Sequence, residues 1–382
     1  MTVCEFYRQR RVLVTGLTGF KGIWLASWLD RLGANVTGLA LPPTDDMQRG
    51  WPGMLDRYSC ILGDIRDETV VQHAVAQLRP DLIFHLAAQP LVRRSYERPV
   101  ETFATNVLGT AHVLEAARHA GTVQGVVVVT SDKCYENPPR CQGDLGNEAG
   151  PEMGYCEGDP MGGHDPYSAS KGCAELLTAA YRRSFGSDGS RIASARAGNV
   201  IGGGDWATDR LVPDFVRSLL AGQPCLVRRP LAVRPWQHVL EPLAGYLLLG
   251  ERLVNGAATF ASGWNFGPHA DDACNVRALA RLMAANWPKA ALIEAARESG
   301  PHETRLLRLD STKAAEQLGW QALLSTPERV AWTLAWYRAW QARPPAVWET
   351  TERQIAAYEE RMQQCPGLAP RWWPASTGRG RP

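Results

Sequence analysis

Short apolar runs alternate with longer amphipathic segments over the first two hundred residues of the chain. The runs at 12–14, 81–86 and 125–130 are rich in Val, Leu and Ile, a pattern typical of strands that are buried on both faces. The segments 23–32 and 167–185 carry apolar residues at helical spacing. This alternation predicts an α/β fold with a doubly wound parallel sheet and right-handed crossovers.

The same patterns predict the remaining elements. Residues 136–165 lack periodicity and are rich in Pro, Gly, Asp and Glu, so we expect a loop that covers an active site. Residues 367–382 are expected to fray, and the Trp residues between 332 and 373 to pack on C-terminal helices. Further strands or short elements are predicted at 35–41, 59–62, 192–196, 225–228, 263–266, 276–285 and 305–309, and further helices at 67–78, 102–120, 210–220, 242–253, 310–318, 326–341 and 347–363.

The composition is that of an ordinary globular protein, with 45% hydrophobic and 21% charged residues. A net charge of +2 gives no reason to expect a nucleic acid or an anionic membrane as a partner. The first residues contain charges but no apolar segment of the kind found in signal peptides. The nine cysteines lack zinc-site spacing, so we expect reduced thiols, no metal site and a cytoplasmic location.

A glycine-rich turn follows the first predicted strand. Gly16, Gly19 and Gly22 punctuate the sequence TGLTGFKG between that strand and a helix. Glycine allows a tight turn, close approach of a pyrophosphate to backbone amides, and close packing of the helix on the sheet, and the helix N-terminus attracts an anion. The spacing predicts a dinucleotide site. No acidic residue closes the second strand, which leaves the choice between NAD and NADP open.

Tyr167 and Lys171 stand four residues apart in the sequence PYSASKG, at the start of a predicted helix. Residues at this spacing share one helix face. A phenol is a poor base at neutral pH unless a cation lowers its pKa, and we expect the Lys171 ammonium to have this effect. The pair therefore predicts a tyrosine base supported by a lysine, although a surface pair would have the same spacing.

A second group of polar residues follows the run at 125–130. Ser131, Asp132 and Lys133 provide a hydroxyl, a carboxyl and an amine where a buried parallel strand ends. Ligands of open α/β sheets bind at the carboxyl ends of strands. We therefore expect an active site here, and an ordinary turn is the alternative.

Several motifs together resemble a known superfamily. TGLTGFKG, HLAA at 85–88, Asn106, TSD at 130–132 and YSASK are similar to those of the extended short-chain dehydrogenases/reductases. SDKCYEN, DPMGGHDPYSASKGCAEL, RAGNVIGGGDWATDRLVPD and RPWQHVLEPLAGYL resemble the CDP-glucose 4,6-dehydratase family. The resemblance implies a Rossmann domain at 1–200, to which segments near 230–262 return, a sugar-nucleotide domain at 201–345, and a C-terminal helix and tail at 346–382.

The resemblance also implies the roles of individual residues. The nicotinamide cofactor NAD would be held by one set of residues and CDP-glucose by another. The cofactor set is Gly16, Thr18, Gly19, Phe20, Gly22, Asp64, Ile65, Leu86, Ala87, Ala88, Asn106, Thr130, Tyr167 and Lys171; the substrate set is Gln89, Asn199, Arg210 and Arg234; the catalytic set is Ser131, Asp132, Lys133, Tyr167 and Lys171.

In the implied reaction, Tyr167 accepts the proton of the sugar 4-hydroxyl during oxidation at C4, and Ser131 donates a hydrogen bond to the 4-oxygen. Asp132 protonates the departing C6 hydroxyl. Most nucleotide-sugar 4,6-dehydratases have Glu after this Asp as the base at C5, whereas this chain has Lys133. Lysine at this position resembles the CDP-glucose enzymes and leaves the identity of the base open.

Three alternatives remain at this stage: another sugar-nucleotide dehydratase such as a GDP-mannose dehydratase, a 4-epimerase, and an inactive NAD-binding scaffold. An epimerase needs neither an acid nor a C5 base, which argues against it. A scaffold would be expected to lose Tyr167 or Lys171, and both are present. The resemblance further implies a homodimer or homotetramer paired through the helices at 102–120 and 167–185.

Overall fold

A seven-stranded parallel sheet forms the centre of the computed structural model, which describes residues 1–136, 154–186, 191–269, 272, 274–288, 290–295 and 307–374. The predicted doubly wound fold is confirmed, because the strand order is β7-β6-β5-β4-β1-β2-β3, with all neighbours parallel. The strands are β1 Arg11–Thr15, β2 Asn35–Ala40, β3 Ser59–Leu62, β4 Leu82–His85, β5 Gly125–Val129, β6 Arg191–Ala197 and β7 Gly263–Phe266.

Helices cover both faces of this sheet. Two of them carry the predicted motifs and are named here: the cradle helix, Phe20–Arg31, follows β1, and the Tyr–Lys helix, Pro166–Phe185, precedes β6. The other α-helices are Val3–Tyr7, Asp45–Gly50, Met54–Arg57, Glu68–Leu78, Val92–Glu97, Pro99–Phe103, Gly109–Ala120, Leu211–Leu220, Leu240–Asn255, Val276–Ala285, Thr326–Ala342, Ala346–Gln363 and Ala369–Trp372.

The long helix predicted at 102–120 contains a local change of geometry. It begins at Pro99, passes through a π-helical turn at Ala104–Leu108, and ends at Gly121 in the left-handed conformation. Such turns rotate one side chain relative to a regular helix and are frequent at functional sites. Here the rotated turn contains Asn106.

Three two-stranded ribbons complete the part of the chain after β6. The pairs are Val200–Ile201 with Gln237–His238, Val233–Arg234 with Cys274–Asn275, and Cys225–Val227 with Leu292–Glu294. Isolated bridges join Tyr135 to Met161 and Tyr155 to Leu309. Most of the predicted loop at 136–165 lies outside the described residues, as do residues 305 and 306 of the element predicted at 305–309.

The C-terminal helices pack on the amino-terminal half of the molecule, as the Trp pattern predicted. Trp336 and Trp348 contact Trp51, with ring centroids 4.8 and 5.1 Å apart. The prediction that the chain frays from residue 367 is wrong for residues 367–374. Trp372 is fully buried against Trp28, and the burial of an indole outweighs the weak helix propensity of this Pro- and Gly-containing segment.

Apolar layers on the two faces of the sheet hold these elements together. One layer contains the cradle helix, the helix Leu240–Asn255 and the C-terminal helices, and the other contains the helices Glu68–Leu78 and Gly109–Ala120. Within the described residues, no helix is long and apolar enough to cross a membrane. The carboxyl ends of β1, β4, β5 and β6 meet at one edge of the sheet, where the predicted polar residues follow them.

Candidate active site

A cavity of about 300 Å³ opens at the carboxyl edge of the sheet. One side, the reaction wall, comprises Lys21, Ser131, Asp132, Tyr167 and Lys171. A second set of lining residues, the arginine wall, comprises Arg210, Arg228, Arg229 and Arg234. The structure therefore brings the two predicted catalytic motifs and two predicted substrate residues, Arg210 and Arg234, around one space.

The glycine turn has the geometry that a dinucleotide requires. Gly16 has φ +73°, and a Cβ on it would lie 2.9 Å from the Ala87 backbone. A Cβ on Gly22 would lie 2.2 Å from the Gly16 carbonyl oxygen. Gly19 is the N-cap of the cradle helix and offers no side-chain cap, so the first amides are left for an anion. The residues present fit a pyrophosphate.

Thr18 and Phe20 flank this turn. The Thr18 hydroxyl donates to the Leu41 carbonyl over 2.9 Å, which ties the turn to the end of β2. Phe20 is the first residue of the cradle helix and lines the cavity. The turn is therefore fixed to the sheet on one side and open to the cavity on the other.

The segment after β4 is held by β1. The Leu86 amide donates to the Thr15 carbonyl and the Ala87 amide to the Thr15 hydroxyl, both over 3.2 Å. Leu86 and Ala88 line the cavity, as expected for a path along the cofactor.

The two residues expected to reach the adenine lie after β3. The Asp64 carboxylate pairs with the Arg66 guanidinium, which lowers the pKa of Asp64. Ile65 is buried against Gly109, where a Cβ would meet the isoleucine side chain at 2.6 Å. Asp64 therefore has a partner within the protein, and its role toward adenine stays a prediction.

Asn106 joins the Tyr–Lys helix to the segment after β4. Its amide nitrogen donates to the Ser170 hydroxyl over 2.8 Å and to the Gln89 carbonyl over 3.1 Å, and its oxygen accepts from the Gln89 amide. Ser170 immediately precedes Lys171. Asn106 thus positions the Tyr–Lys helix relative to the segment after β4.

Gln89 was expected to bind substrate, but the structure places it away from the cavity lining. Its side chain is buried and bonds to the Leu91 amide and carbonyl and to the Thr102 hydroxyl. An amide satisfied in this way organises the loop after β4. The geometry gives no support to a substrate contact by this side chain.

Ser131 and Asp132 form the acidic part of the reaction wall. The Ser131 hydroxyl donates to Asp132 Oδ1 over 3.0 Å, and Asp132 Oδ2 is buried without a partner among the described residues. Burial raises the pKa of Asp132, while the charges of Lys133 and Arg234 act in the opposite direction. A buried carboxyl with a raised pKa and one unused oxygen suits a general acid.

Tyr167 and Lys171 are both buried on the reaction wall. The Lys171 ammonium donates to the Val129 carbonyl over 3.2 Å, and burial lowers its pKa to about 8. Burial raises the pKa of Tyr167 to about 12, while a hydrogen bond with Ser131 acts in the opposite direction. The expected lowering of the Tyr167 pKa by Lys171 is therefore not found, because desolvation dominates.

Thr130 faces a buried ionic network beneath this wall. Its hydroxyl donates to Glu175, which also accepts from Ser194 and pairs with Arg196 over 2.8 Å. The network joins the end of β5 to β6 and to the Tyr–Lys helix. The Thr130 side chain therefore helps to fix the positions of these elements, which carry the reaction wall.

On the arginine wall, Arg210 pairs with Asp205 over 2.9 Å and Arg228 pairs with Asp209 and Asp214. Asn199 and Lys133 line the same cavity, and Lys133 is only partly buried. Planar guanidinium forks match phosphate oxygens, so these four arginines could hold a diphosphate.

The sequence reasoning missed Lys21 as a member of the cavity. It lies within the glycine turn, one residue after Phe20, and its side chain enters the reaction wall. One signal could have identified it: only five of the 41 Lys and Arg residues are lysines, and Lys21, Lys133 and Lys171 all line this cavity.

Comparisons with known proteins agree with this geometry. A family model described as GDP-mannose 4,6 dehydratase matches residues 13–333. The chain is 44% identical to a CDP-glucose 4,6-dehydratase from Salmonella typhimurium, over 93% of this chain and 97% of the relative. It is 30% identical to a UDP-glucose 4-epimerase from Mycolicibacterium smegmatis, over 86% of this chain and 98% of the relative.

Among solved structures, the chain is similar to a dTDP-glucose 4,6-dehydratase from Streptomyces venezuelae with NAD bound. The TM-score is 0.68 and the sequence identity 26%, covering 86% of this chain and 96% of the other. Because the family model matches most of the chain and the Salmonella relative matches nearly all of it, the chain belongs to the GDP-mannose 4,6 dehydratase family of the extended short-chain dehydrogenases/reductases.

Proposed function

We propose that this protein is a hydro-lyase that uses NAD to dehydrate CDP-glucose to CDP-4-keto-6-deoxy-glucose. The observation that carries the proposal is the reaction wall, where Ser131, Asp132 and Tyr167 share one cavity with a glycine cradle that fits a pyrophosphate. The identity to the Salmonella relative supports CDP-glucose as the substrate. A surface-polysaccharide pathway as the destination of the product is part of the same proposal.

Tyr167 acts first, by accepting the proton of the sugar 4-hydroxyl. When bound, NAD supplies a hydride acceptor for C4, a hydride donor for C6 and, while oxidised, a positive charge in the cavity. A positive charge lowers the pKa of a nearby phenol, which opposes the desolvation that raises the pKa of Tyr167 to about 12. Ser131, which lines the cavity with Tyr167, donates a hydrogen bond to the 4-oxygen.

Elimination across C5 and C6 uses the neighbouring groups. The new 4-ketone acidifies the C5 proton, and Lys133 removes it either as the neutral amine or through a water molecule. Burial raises the pKa of Asp132 and so favours its protonated form, which donates its proton to the departing C6 hydroxyl. The proton on C5 is restored at the end, and the proton that Tyr167 took from the 4-hydroxyl replaces the one that Asp132 gave, so the net change is the loss of one water.

The proposal is tested with purified protein, NAD and CDP-glucose deuterated at C4. We expect a product with the alkali-induced absorbance of a 4-keto sugar and with deuterium at C6. Mixed labelled and unlabelled substrate should give little crossover, because the cofactor completes its cycle within one site. No keto product from CDP-glucose, together with turnover of UDP-, dTDP- or GDP-sugars, would assign the chain to another substrate of the family.

A 4-epimerase is the second candidate, because the Mycolicibacterium relative carries that name. Asp132 distinguishes the two reactions. Oxidation and reduction at C4 need no acid at C6, whereas this site buries a carboxyl with an unpartnered oxygen next to Tyr167. Formation of CDP-galactose without a 6-deoxy product would favour the epimerase.

We further propose that the protein is a cytoplasmic homodimer or a homotetramer built from such dimers. All eight cysteines in the described part of the chain are free thiols, which suits a reducing compartment. Val100, Leu108 and Leu176 are 81%, 56% and 57% exposed on the two helices expected to pair. Light scattering on the wild type and on Leu176→Glu tests this, and an unchanged oligomer in the variant would contradict it.

A further inference from the structure

Lys21 is a partly buried amine that enters the cavity without a protein partner among the described residues. It stands on the first turn of the cradle helix and lines the same cavity as Asp132, Tyr167 and Lys171. Within that part of the chain, its ammonium makes neither a hydrogen bond nor an ion pair, and the ring of Tyr246 lies 5.9 Å away. A charge that is partly removed from water and left unpaired lowers the stability of a fold, which favours a functional role for this amine.

The use of lysine in this chain reinforces the point. Basic positions are nearly always arginine, with five lysines among 41 basic residues. Three of the five lysines, Lys21, Lys133 and Lys171, line the cavity. Lysine is a compact point charge that can lose its proton when buried, whereas arginine stays charged. The cavity therefore concentrates the amines whose charge the environment can adjust.

We propose that the Lys21 ammonium raises the reduction potential of the nicotinamide cofactor by destabilising its oxidised, positively charged form relative to its reduced, neutral form. This inference rests on the proposed use of NAD. For hydride to pass between the sugar next to Tyr167 and the cofactor, the nicotinamide must lie inside the cavity that Lys21 lines. The Lys21 ammonium and the oxidised nicotinamide are both positive, and two positive charges repel more strongly in an enclosed site than in water. The effect would favour oxidation of the sugar at C4.

The charges that face Lys21 come from several elements. Lys171 and Arg210 repel its ammonium, Asp132 and Asp205 attract it, and the ring of Tyr246 lies on the neighbouring helix. Burial is the largest influence and lowers the pKa of Lys21 to about 7. The charge on this amine is therefore poised to change near neutral pH.

A simpler role must be separated from this one. Lys21 stands beside the glycine cradle, so it could serve only as a counter-charge to the pyrophosphate. The pyrophosphate carries the same charge in both forms of the cofactor, however, and a pure phosphate contact affects both affinities equally. The ratio of the dissociation constants of NAD⁺ and NADH isolates the effect at the nicotinamide.

The experiment measures both dissociation constants by calorimetry and NADH fluorescence at pH 6.5, without sugar substrate. In Lys21→Met we expect the ratio of the NAD⁺ to the NADH constant to fall about tenfold relative to wild type, because a unit charge is lost from an enclosed cavity. A tenfold change corresponds to about 30 mV for a two-electron couple. Lys21→Arg keeps the charge and should keep the ratio.

Two further measurements complete the test. Lys313→Met, which removes a lysine bonded to Ser262 and Gly263 outside the cavity lining, should leave the ratio unchanged. Raising the pH to 8.5 should lower the ratio in wild type more than in Lys21→Met, because only the wild type loses the Lys21 charge. Lys171 also loses charge over this pH range, but it does so in both proteins, so comparing the two changes in the ratio removes its effect.

The outcomes are distinct. Equal weakening of both ligands in Lys21→Met, with an unchanged ratio, overturns this inference and assigns Lys21 to the pyrophosphate. Failure of the wild type to bind either form overturns the proposed use of NAD itself. A lower ratio in Lys21→Met, with a wild-type ratio in Lys21→Arg, supports the proposal whatever the sugar substrate proves to be.

Discussion

The reaction wall and the arginine wall line the same cavity but differ in burial and in pairing, apart from Arg234, which is buried like the reaction wall. On the reaction wall Asp132, Tyr167 and Lys171 are buried, their pKa values are displaced by desolvation, and backbone and side-chain bonds fix their positions. On the arginine wall Arg210 and Arg228 are about one-third exposed and pair with carboxylates.

This difference separates chemistry from binding. Groups that move protons need pKa values far from those in water, and burial provides them at a cost in stability. Groups that hold a diphosphate need only charge and planar geometry, and the partly exposed pairs of Arg228 with Asp209 and Asp214 can be exchanged for phosphate oxygens at little cost. Substitutions on the two walls should therefore change different measured quantities.

Removal of the Tyr167 hydroxyl should have the largest effect on turnover. In Tyr167→Phe we expect kcat to fall by about 10² to 10⁴-fold, because general-base catalysis is lost, while the dissociation constant of CDP-glucose stays near that of wild type. Tyr58→Phe is the matched control, since this buried phenol bonds only to Ser27 and Arg57 away from the cavity. Near-normal turnover of Tyr167→Phe would remove Tyr167 from the role of base.

Lys133→Met should arrest the reaction after oxidation at C4. With substrate deuterated at C5, we expect NADH absorbance to accumulate on the protein, no exchange of the deuterium, and turnover reduced by about 10²-fold or more. Lys313→Met again serves as the control lysine. Normal exchange at C5 in Lys133→Met would show that another group moves this proton, and Lys133 would then stabilise the enolate as a charge.

Arg234→Met should weaken binding rather than chemistry. We expect the dissociation constant of CDP-glucose to rise about 10- to 100-fold, in keeping with the loss of a charged hydrogen-bonding group from a diphosphate site. Arg234→Lys should recover only part of the affinity, because an ammonium cannot make the paired contacts of a guanidinium. A fall in kcat without a change in affinity would place Arg234 with the reaction wall instead.

The reaction wall should also carry a measurable stability cost. The pKa of Lys171 is about 8 in the folded protein against an ordinary value of 10.5, so its buried ammonium destabilises the fold by about 3 kcal/mol below pH 8. Lys171→Met loses one hydrogen bond as well, so we expect a net gain of about 1 to 2 kcal/mol in unfolding free energy at pH 7.

The sign of this effect can be checked by pH. Because the folded-state pKa lies below the unfolded one, the unfolded chain binds the proton more tightly, and wild-type stability rises between pH 8 and 10.5. The advantage of Lys171→Met in urea unfolding without added nucleotide should therefore shrink at pH 9.5. An advantage that is equal at both pH values would mean that the ammonium is not the source of the cost.

The two walls also differ in how far the sequence predicted them. The glycine turn, Asp132 and the Tyr167–Lys171 pair follow directly from strand ends and helical spacing, because local geometry places them. The pKa of Tyr167 was predicted in the wrong direction because burial depends on helices distant in sequence. Gln89 was assigned to the substrate from the resemblance, yet the helix that contains Thr102 and the π-helical turn that contains Asn106 both bond to it.

Long-range packing also explains the elements that were missed. The chain after residue 366 looks flexible by composition, but Trp372 is buried against Trp28 from the other end of the chain. The short helices Val3–Tyr7 and Asp45–Gly50 are stabilised by threonine caps at Thr2 and Thr44 and have too few turns for a periodic pattern. The contact of Trp372 with Trp28 is not visible in a window of ten residues, whereas the threonine caps are local signals that hydrophobic periodicity does not reveal.

The two walls are linked by the charge of Arg234, and this gives the smallest effect predicted here. Burial raises the pKa of Asp132, and Arg234 is one of the charges that oppose the rise. Removing that charge in Arg234→Met should raise the pKa of Asp132 further.

Asp132 acts as an acid and must be protonated, so turnover at saturating CDP-glucose falls as the pH rises through its pKa. This descending limb of kcat should therefore move to higher pH in Arg234→Met, by a fraction of a pH unit, because Arg234 is one of several groups that act on Asp132. Arg228→Met, on the same wall and paired with Asp209 and Asp214, is the control and should leave the limb in place. A limb that does not move in Arg234→Met would mean that the walls are electrostatically independent, and that binding and proton transfer can be altered separately throughout this site.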